Sequence, residues 1–367
     1  MNDTHRNLIY LLACAVNGII PDKEIVNTMD LVRLYRLAEF HSTRAAICIA
    51  LNRAGINNED FYQAYKKAVR KNILLDMERT EIFNCFERQG IWYMPLKGAI
   101  IKELYPENGM REMADNDILY DSTKQEKVKE IMLEKGYTAG SIGRSHHDTY
   151  MKPPVQNFEL HTVLFGTAHT ESLYRYYSDI KRLLCKDDEN NYGYHFSDED
   201  FYVYITAHEY KHYSGNGTGV RNLLDCYIYI KNKGDVLDWK YIEEQCDNLG
   251  MKSFEKDRRG LAMKLFSSVT LPVLNDTEKE LLMCYMTAGT YGTFENGIKN
   301  QLQTHSKLSF LIRSIFISRQ QMAQSVPFTT KSFLLYPLGV IWRCIRISVL
   351  KRDRLKQTIK GLKKYGK

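Results

Sequence analysis

The amino-acid sequence predicts an α+β protein, with a strand-bearing core set between two helical regions. Three observations predict it. Residues 1–89 repeat apolar positions at helical spacing. Between Ile91 and Phe165 the pattern breaks into short runs rich in strand formers. From Ser197 onward the helical period returns. The domains expected are a helical N-terminal segment at 1–89, a core at 90–167 and a helical C-terminal domain at 168–367 that ends in a basic tail.

In the first region Leu31, Leu34, Tyr35 and Ala38 recur on one helical face, as do Leu75, Ile82, Phe83 and Phe86. Gly90 suits the helix C-terminus that follows, where a left-handed residue is needed. IWYMPL then reads as a strand that stops at Lys97-Gly98, and Ala99–Tyr105 reads as a short helix ending before Pro106. Ala114–Tyr120 is the second expected strand. Ser122 and Gln125 have the spacing of a capping box and should open a helix with Val128, Ile131 and Met132 on one face, closed by Gly136. Two further strands are expected at Thr149–Lys152 and Gln156–Phe165. Beyond these, Phe201, Tyr204, Ile205, His208 and His212 share a helical stripe. The glycine-rich SGNGTG leads into a helix at Val220–Lys231, and Asp238-Trp239 opens another.

Composition narrows the class. The 367 residues are 44% hydrophobic and 26% charged, the balance of a folded soluble protein long enough for two or three domains. Eight cysteines are scattered with no CxxC pair, which argues against a zinc ribbon or a redox dithiol and fits free thiols in a reducing cytoplasm. The N-terminus lacks the basic start of a secretion signal. Leu334–Leu350 is too short and too charged to be a spanning helix, so no integral membrane association is expected. The formal charge of +7 is uneven. Residues 343–367 hold ten Lys or Arg against one acid, so this tail carries +9 and the rest of the chain about −2. Such a tail can meet nucleic acid, an anionic membrane face or an acidic partner. The sequence favours a solvated terminal helix with at most weak anionic contact.

The residues that carry chemistry begin with Asp115-Asn116-Asp117. In a strand, side chains at i and i+2 share a face, so the two carboxylates should lie together. Like charges repel, and burial favours the neutral acid, so the pair calls for a cation; hard oxygen donors of this type suit magnesium or manganese. The preceding strand–Lys97-Gly98–helix arrangement offers backbone N–H groups and a positive charge to an anion. In NFELHTVLF, Phe158 and Leu160 face one way and Glu159 and His161 the other, so Glu159 can complete a three-carboxylate cluster from a neighbouring strand. Asn116, where an apolar residue is more usual, marks that position as more exposed than expected.

These stretches together resemble a known family. PLKGAIIKELYP, then REMADNDILYD, then a helix ending in KGY, then FELH, is similar to the uncharacterised nucleotidyltransferase family of the polymerase-β-like superfamily. The resemblance takes in LVRLYRLAEFHSTRAA and GVRNLLDCYIY and spans most of residues 25–240. It implies a polymerase-β-like core, a mixed sheet with flanking helices. It also implies metal-dependent transfer of a nucleotide monophosphate from an NTP to an acceptor hydroxyl on a small molecule, a protein or an RNA. Asp115, Asp117 and Glu159 would hold two Mg2+ (or Mn2+) ions, which in such sites stand roughly 3.5–4 Å apart. Glu159 would also serve as base. Gly98 would cradle the phosphates, and Lys97 or Arg111 would neutralise them. The wider superfamily carries glycine-serine at the turn; here Lys97-Gly98 precedes Ala99, so the serine hydroxyl is missing.

Other signals compete. A non-catalytic nucleotide-binding module of the same fold is one alternative, opposed by the presence of all three carboxylates. His208-Glu209-x-x-His212 matches a zinc peptidase pattern, since i and i+4 place both His on one helix face. Lys211 inside the pattern, the glycines after it and the lack of a third ligand at the usual spacing oppose it. The preferred role is a polar helix face, with His208, Lys211 and His212 near nucleotide or acceptor. Arg221 and Asp225, four apart, have the spacing of a helix ion pair. His146-His147-Asp148 reads as a loop, because adjacent histidines seldom converge on one ion.

Overall fold

The computed structural model describes residues 2–143, 146–166, 171–304, 306–317, 322, 326, 329, 333–350 and 352–365. The chain forms two compact units, residues 1–210 with 219–290, and residues 211–218 with 291–367. The expected boundary at 167–168 lies outside the described residues.

The first unit opens with helices α1 (Asp3–Asn17), α2 (Lys23–Asn27), α3 (Leu31–Phe40), α4 (Arg44–Arg53) and the long α5 (Glu59–Arg88). Side-chain caps start several of them: Asn2 accepts from the His5 N–H, Asp30 from Arg33 and Asn58 from Phe61. Just beyond α5, Gly90 takes φ +64°, the left-handed conformation its position required.

The sheet follows. Its strands are β1 (Tyr93–Pro95), β2 (Asn116–Tyr120), β3 (Thr138–Ala139), β4 (His147–Lys152) and β5 (Gln156–His161), in spatial order β1-β2-β5-β4-β3. Among the described strands of this sheet the β2–β5 pair is parallel and the other three pairs are antiparallel. Between β1 and β2 the one-turn helix α6 (Gly98–Ile101) runs into a 3-10 turn at Lys102–Leu104, shorter than the helix expected. Helix α7 (Gln125–Glu134) joins β2 to β3. The expected capping box does not form. Asp121, one residue earlier, caps the turn through the Thr123 N–H, and the Gln125 amide instead donates to Asp148 at 2.8 Å.

Period-two alternation gives the sheet two chemically distinct faces. Ile118 and Tyr120 of β2, Tyr150 of β4, and Phe158 and Leu160 of β5 pack with Ile82 and Phe86 of α5 and Val128 and Met132 of α7 into one buried core. Asn116 belongs to this face and is fully buried, not exposed as its polarity suggested. Its amide donates to the Leu75 carbonyl at 2.9 Å and accepts from Arg79 at 3.0 Å. Asp117, Glu159, His161 and His147 alternate onto the other face.

Helix α8 (Glu171–Ser178) and a two-strand ribbon, β6 (Cys185–Lys186) with β7 (Tyr194–His195), lead to α9 (Asp198–Ser214), α10 (Val220–Lys233), α11 (Trp239–Asn248), α12 (Lys252–Phe266) and α13 (Asp276–Ala288). The second unit contains α14 (Phe294–Thr304), α15 (Lys307–Ile315), α16 (Tyr336–Leu350) and α17 (Arg352–Tyr365). Within it Lys364 and Tyr365 of the basic tail both reach Glu295 of α14. Among the described residues no helix is long and apolar enough to cross a membrane. The eight cysteines are free thiols.

Candidate active site

The carboxylate cluster is a product of strand register. Because β2 and β5 are parallel with Asp117 opposite Glu159, two acids on the site face become lateral neighbours. Asp115 sits just before β2 and is half-buried. His161, two residues beyond Glu159 on the same face, reaches Asp117 with its Nε2 at 2.9 Å. On the other side Lys97 donates from Nζ to the same Asp117 oxygen at 2.6 Å. Asp117 is thus gripped from two sides, while the Glu159 side chain is about a third exposed, at 32%.

Electrostatics divides these groups. Burial pushes Asp115 up, and Asp117 and Glu159 push it further, to about 7. Burial acts the same way on Asp117, but Lys97 and His161 overcome it and hold that carboxyl well below the usual range. Burial works against the Lys97 ammonium too; Asp117 more than compensates and keeps its proton above the usual lysine range. His161 is pulled down to about 4 by burial, with the Lys97 charge acting in the same direction against the Asp117 hydrogen bond. His161 is therefore neutral near pH 7. Since ionised Asp117 can only accept, its proton sits on Nε2.

The turn beside the acids is unusual. Lys97 takes φ +47° and ψ −115°, a conformation that L-residues rarely adopt and that costs roughly 1–3 kcal/mol. Its ion pair with Asp117 holds it there. Next to it, a Cβ at Gly98 would stand 2.5 Å from Arg111 Nη1, so glycine is what lets Arg111 pack beneath the turn.

Arg111 lies against Gly98, yet its fork is engaged. Nε and Nη2 donate to the two oxygens of Asp225 on α10, both at 2.9 Å, and Tyr105 donates to Asp225 Oδ1 at 2.7 Å. The expected Arg221–Asp225 spacing is put to different use: Asp225 holds Arg111, and Arg221 reaches the Glu112 carbonyl at 3.0 Å. Arg111 therefore ties the turn to α10. Arg111→Ala is expected to lower unfolding free energy by about 3 kcal/mol, the lower end for breaking a buried pair because Tyr105 still bonds Asp225. Urea unfolding at the wild-type midpoint would show the pair to carry no weight.

Sequence reasoning passed over three residues of this site. His161 was placed on the right face but given no role, although its spacing from Glu159 carried the signal. Tyr204 of α9 lies close enough for Lys97, Asp117 and Glu159 to act on its hydroxyl, which burial first raises above the tyrosine range. Its stripe position signalled only a helix face. His147 lies in a stretch whose sequence reads as a loop. It begins β4 directly opposite His161, and its Nε2 lies 3.8 Å from Glu159 Oε2.

The zinc peptidase pattern fails on Glu209. That carboxylate is buried, ion-paired with Arg258 of α12 at 2.7 Å and bonded by the Tyr285 hydroxyl at 2.6 Å. A general base must reach water, and this one is a core group. His208 lies on α9 near Tyr204, with ring centroids 6.4 Å apart. Lys211 and His212 fall in the second unit.

A family model described as uncharacterised nucleotidyltransferase matches residues 27–267, which include every residue of this cluster. No curated protein and no solved structure matches the chain.

Proposed function

The chain belongs to the uncharacterised nucleotidyltransferase family, and from that premise we propose that it transfers a nucleoside monophosphate from a nucleoside triphosphate to an acceptor hydroxyl at Asp115, Asp117 and Glu159, with a divalent cation. The observation that carries this reading is the side-by-side register of Asp117 and Glu159 with Asp115 beside them, three carboxylates with Lys97 as the cation in direct contact. The donor set fits magnesium or manganese. The three carboxylates are hard oxygen donors, and Asp115 is raised to about 7 by burial first and then by the charges of Asp117 and Glu159, a carboxylate that a cation would stabilise. When bound, the cation would neutralise the triphosphate and make the acceptor hydroxyl more acidic.

The remaining steps fall to the chain. The acceptor oxygen forms a bond to the α-phosphorus. The bond from that phosphorus to the bridging oxygen breaks, and pyrophosphate leaves. Glu159 takes the hydroxyl proton, because it is the more exposed acid of the strand pair and the one an incoming acceptor can reach. Asp117, fixed by Lys97 and His161, keeps the acids in register. Gly98 lets Arg111 pack beneath the turn that carries Lys97, and so helps to hold that turn beside the acids.

The test is incubation of the full chain with each of the four labelled NTPs and magnesium, with and without cell extract. Labelled product with an equal amount of pyrophosphate is expected from at least one nucleotide. Absence of both with all four, in extract as well as buffer, would leave the protein a non-catalytic binder.

A further inference from the structure

The site face of the sheet carries a second group of donors. His146 precedes β4 and His147 begins it, and both turn toward His161. His146 Nε2 lies 3.3 Å from His147 Nδ1. Ring centroids of His146 and His147 are 5.7 and 5.1 Å from that of His161. One ring nitrogen from each of the three histidines lies within 4.8 Å of the others. Glu159 Oε2 stands 3.8 Å from His147 Nε2 and 3.9 Å from His161 Nε2.

We propose that His146, His147 and His161 form a binding site for a borderline transition-metal dication such as zinc or cobalt, distinct from the oxygen-donor carboxylate centre and adjoining it at Glu159. Imidazole nitrogens select such ions over magnesium, which prefers oxygen. The site also has the support that nitrogen sites use. A ligating histidine typically donates its other N–H to a carboxylate, which fixes the ring and makes the ligand more basic. His161 donates Nε2–H to Asp117 in this way. Its remaining nitrogen, Nδ1, is buried and has no hydrogen-bond partner among the described residues. Tetrahedral zinc–nitrogen bonds of about 2.0–2.1 Å set ligand nitrogens roughly 3.4 Å apart, close to the separation of 3.3 Å between His146 Nε2 and His147 Nδ1. His146 and His147 are only half-buried. The inference does not depend on nucleotidyl transfer.

Cobalt is the probe, because its visible absorption reports ligand type without any activity assay. The metal-free full chain should take up one Co2+ with a visible band. One equivalent of Zn2+ should displace it and millimolar Mg2+ should not. His146→Gln and His147→Gln, conservative changes at half-buried positions, should each weaken Co2+ binding at least about tenfold while circular dichroism stays unchanged. Asp115→Asn should keep the band. The proposal is overturned if the wild type gives no band or if Mg2+ displaces the ion. It is equally overturned if both histidine variants bind as the wild type does, or if Asp115→Asn alone removes the band, which would place the ion on the carboxylates. A wild-type chain that gives the band yet transfers no nucleotide from any NTP would count against the catalytic reading alone.

Discussion

Asp115→Asn is expected to lower nucleotidyl transfer by about 10³-fold or more, equivalent to about 4 kcal/mol of transition-state stabilisation, with no loss of fold. The side chain keeps its size, and among the described residues no hydrogen bond or ion pair depends on it. What the change removes is a negative charge that burial and two neighbouring carboxylates already disfavour. The stability profile gives an independent check. The Asp115 acid is raised from 3.8 to about 7 in the folded chain, so the folded state holds a proton that the unfolded chain releases. Wild-type stability should therefore fall as pH rises from about 4 to about 7, and the variant should lose that fall. The variant should unfold at least as late as the wild type at pH 8, yet be inactive. Wild-type transfer rates in the variant would remove Asp115 from the chemistry. A variant less stable at pH 8 would show the carboxylate to be a structural anion.

Most of this site was legible in the sequence because it is periodic. Asp115 and Asp117 are two apart, as are Glu159 and His161, and Phe158 and Leu160 declare which face of β5 is core. Alternation alone thus put Glu159 and His161 on the face opposite the core. What alternation cannot supply is register. That Asp117 stands opposite Glu159, and His147 opposite His161, is set by how β5 pairs with β2 on one side and β4 on the other, and no local pattern encodes it. The Arg111 partner of Asp225 lies beyond local rules for a related reason. It is 114 residues away in sequence, whereas Arg221 is one helical turn away and made the more obvious mate. Local rules also mislead where a motif lacks its context. His208-Glu209-x-x-His212 has zinc spacing, but Arg258 and Tyr285 claim the glutamate. Strands β3, β6 and β7 are two residues each, too short for any period to register.

Lys97→Met tests the other half of the site, the cation that holds Asp117. Both side chains of this pair are largely buried, with exposures of 16% and 10%. Removing one partner leaves Asp117 without its cation, at an expected cost of about 3–5 kcal/mol in unfolding free energy. Methionine keeps the length of the side chain and the positive φ, so the difference reports charge rather than backbone strain. The sign with pH follows from Asp117. Its carboxyl is depressed below 3.8 in the folded chain, so its contribution is complete above that value and is lost as pH falls below it. The gap between wild type and variant should be full at pH 7 and should narrow in acid. His161 should respond as well. With the Lys97 charge gone, its proton affinity should rise above the present value near 4, which a histidine NMR titration would follow. Magnesium provides the last discrimination. If Asp117 needs a positive neighbour, millimolar Mg2+ should raise the stability of Lys97→Met more than that of the wild type, and Lys97→Arg should recover most of the loss without it. A variant that unfolds with the wild type at pH 7, and is indifferent to magnesium, would mean that the Lys97 turn is held by its backbone alone and that Asp117 does not need its charge.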